Sequence, residues 1–199
     1  MQDNRTLYER NVQDRSRLRY LLGLIIRWKQ NFKYARARRI ARKRGASIGE
    51  GVIMPLELAK KCNKHISIGS HTSIGSHKID TRCPINIGNN VIIGSNSEII
   101  TASHNIDSPE WEYKPYGIKI EDYVWIAQNA IILPSCRHIR TGAVIGTGAV
   151  IYKNVENMSV MSGNPARELR KRKCVHENLV VESCLGGDYE IYKKVRTKK

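Results

Sequence analysis

The chain has 199 residues, 41% apolar but only 7% aromatic with a single Phe, so it can bury one sizeable core that aromatic packing does not dominate. Its net charge of +16 is uneven: residues 1–45 hold 14 Lys or Arg against 3 acids, residues 46–166 hold 10 of each, and residues 167–199 supply the remaining +5. Basic ends suit phosphate, anionic lipid or an acidic glycan, but no nucleic-acid motif accompanies them, and nucleic acid is not an expected partner. The five cysteines are odd in number and form no CxxC pair, which argues for a reducing compartment rather than a disulfide framework. The apolar run Tyr20–Ile26 is far short of the ~20 residues that cross a bilayer. Cytoplasmic residence is therefore expected, with the inner membrane face as a peripheral location.

In chain order, residues 1–45 read as a basic amphipathic helical segment. Its helix runs from about Ser16 to Arg44, with Gly45 placed to end it. Leu18, Leu21, Leu22, Ile25 and Ile26 follow helical spacing, with basic residues on the other faces. That stripe is expected to cap the first coil of the body or to pack between subunits, since solenoid ends must be covered. The alternative is an anionic membrane surface.

From residue 46 to 166 the pattern changes. Ile68 and Ile74, then Ile87, Ile93 and Ile99, then Ile120, Ile126 and Ile132, then Ile139, Ile145 and Ile151 recur six residues apart. Six residues would turn an α-helix through about 600°, so no helix keeps them on one face. Six is even, however, so short strands of period two point them all the same way. Four residues after most of these isoleucines stands a small or β-branched residue, as at Thr72, Val91, Ser97, Val124, Ala130, Cys136, Ala143 and Ala149. This is the hexapeptide signature of a parallel β-helix. An imperfect first coil at Ile48-Gly49 precedes a break from Met54 to His65. One extra residue falls between Ile74 and Ile87, and another at Ser135–His138 predicts a bulge. A polar excursion, residues 103–119, leaves the body, and its length alone makes it a functional candidate. Gly163-Asn164-Pro165 ends the repeats. Arg167–Lys173 reads as a basic helical piece of a C-terminal extension, 167–199, whose remainder has no assigned structure.

From about Ile66 to Arg172 the chain resembles the hexapeptide acyltransferases. The stretches SHNIDSPEWEYKPYGIKIEDYVWIAQNA and SGNPAR are similar to sugar O-acetyltransferases of the galactoside and maltose type, and to acetyltransferases that modify bacterial surface polysaccharides. The resemblance implies an all-β solenoid, a left-handed parallel β-helix in which residues eighteen apart stack, assembled as a homotrimer. It implies acetyl-CoA as co-substrate and a sugar or glycan acceptor.

Deprotonating a sugar hydroxyl near pH 7 suits a neutral imidazole. By itself a histidine in a polar loop is usually just solvated, but His104 aligns with the family's general base. The resemblance places the oxyanion donor at the backbone amide of Gln128, and Asp107 could orient the imidazole, although a turn role for it is the plainer reading. It places Trp125 and Thr147 along the acetyl and pantetheine groups, and Lys153, Asn164, Pro165 and Arg167 at the nucleotide end. His65, His71 and His77 also recur every six residues, but such residues lie on successive faces and cannot converge, so no metal is expected. His71 or His77 could instead meet the acceptor. The alternatives are N-acetylation of an amino-sugar nucleotide, acetylation of a xenobiotic, and a scaffold without activity.

Overall fold

The computed structural model describes residues 6–197. The isoleucine beat builds three parallel sheets that wind into one β-helix. The first face stacks Ser47–Ile48, Ile66–Ile68, Ile85–Ile87, Ile118–Ile120 and His138–Ile139. The second stacks Ser73–Ile74, Ile92–Ile93, Trp125–Ile126, Val144–Ile145 and Ser159–Gly163, and the third stacks Glu98–Ile99, Ile131–Ile132 and Val150–Ile151. Isoleucines from all three faces meet on the axis: Ile74, Ile99, Ile126, Ile132, Ile139 and Ile145 are wholly inaccessible. The small residues four positions later are just as buried, from Thr72 to Ala149, because they line the corners where a larger side chain would not fit.

In the middle coils stacked residues lie nineteen apart, not eighteen: Ile74 sits on Ile93, Ile126 on Ile145 and Ile132 on Ile151. The supernumerary residue in each of these coils is taken up at a corner. That also corrects the bulge expected at Ser135–His138. Strand His138–Ile139 pairs with Lys119–Ile120 without a shift, and Asn154 Oδ1 accepts the amides of Arg137 and His138 at the corner, at 2.8 and 2.9 Å. The excursion is an antiparallel hairpin, Ala102–His104 against Tyr113–Pro115, and the body resumes at Ile118 rather than after Lys119.

Two helices precede the body. Helix α1 spans Leu7–Gln13 and α2 spans Arg17–Lys43, with Ser16 accepting the Arg19 amide at its start. Helix α3, Leu56–Lys61, occupies the expected break. Helix α2 does cap the first coil, but not with the predicted stripe. Tyr34, Ala37 and Ala41 face the body, and Arg42 donates to Ile48 O at 2.8 Å and Arg38 to Val52 O at 3.0 Å. These guanidinium groups satisfy carbonyls that the solenoid's open edge leaves unpaired. Leu18, Leu21, Leu22, Ile25 and Ile26 stay more than half exposed.

The segment after Gly163 is a strand, Ala166–Lys171, antiparallel to Ser159–Gly163, and not the helical piece expected. Beyond it come a 3₁₀ turn at Val181–Leu185 and helix α4, Tyr189–Thr197. Helix α4 joins the two ends of the chain: Tyr192 and Val195 bury against Val12, Tyr20 and Leu24. Asp188 is buried under Arg27 at 2.9 Å and accepts the Tyr8 hydroxyl at 2.5 Å. Burial, then that carboxylate, push the Tyr8 phenol well above its ordinary range.

Candidate functional site

Coils run from first face to second to third, so each corner of the prism has its own chemistry. The hairpin with His104 emerges between the third and first faces. His104 is exposed, and its Nδ1 lies 2.8 Å from the carbonyl oxygen of Trp111. A carbonyl can only accept, so Nδ1 carries a proton, and in the neutral tautomer this selects, Nε2 is the nitrogen with the lone pair. The Trp111 indole stacks on the imidazole, with centroids 5.3 Å apart, and Tyr113 meets it edge-on at 6.0 Å. Tyr113 is tied to the body through its hydroxyl, 3.3 Å from Cys83 Sγ. Asp107, on the same hairpin, is exposed and makes no hydrogen bond or ion pair among the described residues. No pattern in the sequence singles out Trp111, which takes φ +51° to turn its carbonyl toward His104.

Trp125, Gln128 and Thr147 come together at a different corner, between the second and third faces. They line a cavity of about 310 Å³ with Gly94 and Ser95. Among the described residues, the amides of Ser95, Gln128 and Thr147 donate to no protein atom, although their neighbours Gly94, Ala127 and Gly146 all pair with the next coil. A row of outward N–H groups beside an exposed indole can receive an amide, carbonyl or oxyanion oxygen. Gly94 keeps this corner thin: a Cβ there would lie 2.6 Å from the Gln128 nitrogen. The far wall is Cys184 and Leu185, from the 3₁₀ turn that the sequence reading did not assign. That turn is held by Glu182 on His71 Nδ1 at 2.6 Å and by the Tyr34 hydroxyl on Leu185 O at 2.9 Å.

His104 does not line this cavity. One whole face of the prism separates their corners. Lys153 and Arg167 share a second cavity, of about 560 Å³, with Tyr152 and Glu168. Asn164 and Pro165 form the tip of the hairpin between the last two strands, where their peptide bond is cis. His65, His71 and His77 fall at three successive corners, and no group of three metal-binding side chains gathers among the described residues. All five cysteines are unpaired, and no described helix is long and apolar enough to cross a membrane.

No family model matches the chain. Among curated proteins it is 44% identical over 70 residues to a chloramphenicol acetyltransferase of Agrobacterium fabrum, covering 32% of this chain and 33% of that one. It is 33% identical over 113 residues to the galactoside O-acetyltransferase of Lactococcus lactis, covering 55% and 53%. It is 26% identical over 149 residues to a putative colanic acid biosynthesis acetyltransferase of Escherichia coli, covering 74% and 81%. The chain spans about half the length, or less, of the first curated relatives it matches. Among solved structures, a hexapeptide-repeat acetyltransferase of Vibrio cholerae complexed with acetyl coenzyme A superposes with a TM-score of 0.59 at 28% identity, over 76% of this chain and 86% of that one. With its six-residue beat, its three-faced parallel prism and these likenesses, the chain is similar in sequence and fold to the hexapeptide-repeat acetyltransferases.

Proposed function

We propose that the protein transfers acetyl from acetyl-CoA to a sugar hydroxyl, in the assembly of a surface polysaccharide, with His104 as general base. The observation that carries this reading is the Nδ1 contact to Trp111 O, because in the neutral ring it makes Nε2 the proton acceptor that a hydroxyl can approach on this exposed hairpin. His104 takes the hydroxyl proton as the acceptor oxygen attacks the thioester carbonyl. The Gln128 amide stabilises the oxyanion, and the imidazolium returns its proton to the departing thiolate as the carbon–sulfur bond breaks. Trp125 and Thr147 flank the thioester arm, and Lys153 and Arg167, with the Asn164-Pro165 tip, meet the nucleotide phosphates.

The base and the amide row occupy different corners of one prism, so a single chain does not bring them together. A left-handed homotrimer, as in the family, unites them by setting the His104 hairpin of one copy against the open corner of the next. The sugar acceptor is supported by the galactoside and colanic acid relatives. The chloramphenicol acetyltransferase relative favours a second reading, transfer to a xenobiotic hydroxyl.

The test is thiol release from acetyl-CoA against a panel of galactosides, glycan fragments and chloramphenicol, for wild type and His104→Ala. The reading expects sugar-dependent release that falls about 10²–10⁴-fold in the folded variant. Release driven by chloramphenicol alone would favour the second reading. Undiminished release in His104→Ala would remove the base.

A further inference from the structure

We propose that the outer face of α2 docks on an anionic lipid surface, with the prism standing on its first coil. Leu18, Leu21, Leu22, Ile25, Ile26 and Phe32 are 51–69% exposed. At 100° per residue they share one arc of the helix. Gly23, Tyr34, Ala37 and Ala41, on the opposite side, are the positions α2 buries. Apart from Tyr34, the positions the helix buries fully are small, while most of its large apolar side chains turn outward, the reverse of a helix that completes a globular core. Trp28 extends the patch, packed edge-on against Phe32 at 4.9 Å.

Charge identifies the occupant. Residues 17–43 contain ten Lys or Arg and no carboxylate. Lys29, Lys33, Arg36 and Arg39 continue the same face toward the C-terminal end of α2. The exposed face is therefore apolar in its first half and cationic in its second. A second copy of this helix would set those cations against one another without an acid to neutralise them. A bilayer with anionic headgroups supplies both partners at once, hydrocarbon for the first half and phosphate for the second.

Orientation follows from the cap. Arg38 and Arg42 fasten the buried side of α2 across the open edge of the first coil, so the exposed side points away from the prism. Coils rise about 4.8 Å each, and Gln128 lies on the fourth, which holds the open corner on the order of 20 Å above the lipid. The docking itself does not depend on the transferase reading.

The experiment is vesicle flotation of the full chain with phosphatidylcholine alone and with phosphatidylcholine containing phosphatidylglycerol. Wild type is expected to float with the anionic vesicles and to be released by salt. Leu22→Glu/Ile25→Glu is expected to lose at least about tenfold in bound fraction, and Lys29→Glu/Lys33→Glu to lose anionic selectivity. Both variants alter exposed positions, and unchanged circular dichroism and melting temperature would show that they fold. Failure of wild type to float, or equal flotation of the variants, overturns the proposal. So does a solution mass that drops by whole subunits in Leu22→Glu/Ile25→Glu, because the face would then be covered by another copy.

Discussion

Two corners of the same prism treat their backbone amides in opposite ways. Between the first and second faces, the amides of Glu50, Ser70, Asn89 and Thr141 are each taken by a side chain, those of Ser70, Asn89, Asp122 and Glu121 respectively. The carbonyls there are covered as well. Arg172 donates to Tyr123 O and Gly142 O, and His176 Nε2 donates to Asn90 O at 2.8 Å. Between the second and third faces, Ser95, Gln128 and Thr147 occupy the equivalent positions, and their amides have no protein acceptor among the described residues. At this position of the repeat the first corner pairs four of its five amides with protein, Asp122 being the exception among the described residues, whereas the second corner pairs none of the three. On the proposed function, these outward amides are the ones a ligand would meet.

Adding one methyl to each corner sharpens that contrast most. A Cβ on Gly88 would lie 2.3 Å from Asp122 Oδ1, and one on Gly94 would lie 2.6 Å from the Gln128 nitrogen. Each variant, Gly88→Ala and Gly94→Ala, is expected to lose about 1–3 kcal/mol of stability from overpacking. Only Gly94→Ala is expected to lose acetyl transfer as well, by about 10²-fold or more, since one oxyanion donor is worth that much. Equal activity of the two variants, in thiol-release assays matched for folded fraction, would abolish the distinction between the corners.

Shortening the far wall of the open corner comes next. Leu185→Ala is expected to raise the KM for acetyl-CoA or acceptor by about tenfold with kcat nearly intact, because a lost apolar contact costs about 1–2 kcal/mol of binding. A fall in kcat at unchanged KM would instead place Leu185 in the chemistry.

The smallest effect belongs to the closed corner. Glu121 accepts from Thr141, His138 and Lys119, which together hold its carboxyl at about 2. A depressed carboxylate contributes stability above its unfolded pKa of about 4.3 and loses it as pH falls toward the folded value. Solvent reaches the pair, so Glu121→Gln is expected to cost at most about 1 kcal/mol at pH 7. Melting curves of the two proteins should converge between about pH 4 and pH 2. A gap that stays constant over that range would assign the loss to packing.

Much of this architecture was legible in the sequence, and for a specific reason. A six-residue period constrains every isoleucine independently, so Ile120, Ile126 and Ile132 announce successive short strands without any long-range information; that three such faces close a coil came from the resemblance. The ends carry no such repetition. Arg167–Lys173 has helical composition, but its first five residues continue a strand from Ala166 to Lys171, because Ser159–Gly163 offers an unpaired edge. The stripe Leu18–Ile26 has core spacing but stays exposed, because Ala37 and Ala41, together with two arginines, already cap the first coil. At the candidate site the residues themselves marked only the excursion that carries His104; Trp125, Gln128 and Thr147 were named by the resemblance, and they line one cavity. The Trp111 carbonyl and the Leu185 wall were marked by neither. One depends on a single backbone angle, and the other on a chain end folding back across more than a hundred residues.

The claim that base and amide row meet only between copies is tested most directly by mixing two inactive variants. His104→Ala and Gly94→Ala, unfolded together and reassembled, would share sites at random. If the His104 hairpin of one copy serves the open corner of another, about one quarter of the mixed sites regain both intact parts, and thiol release returns to about that fraction of wild type. If each chain carries a complete site, every site in the mixture keeps one defect, release stays at the level of the separate variants, and the account is contradicted.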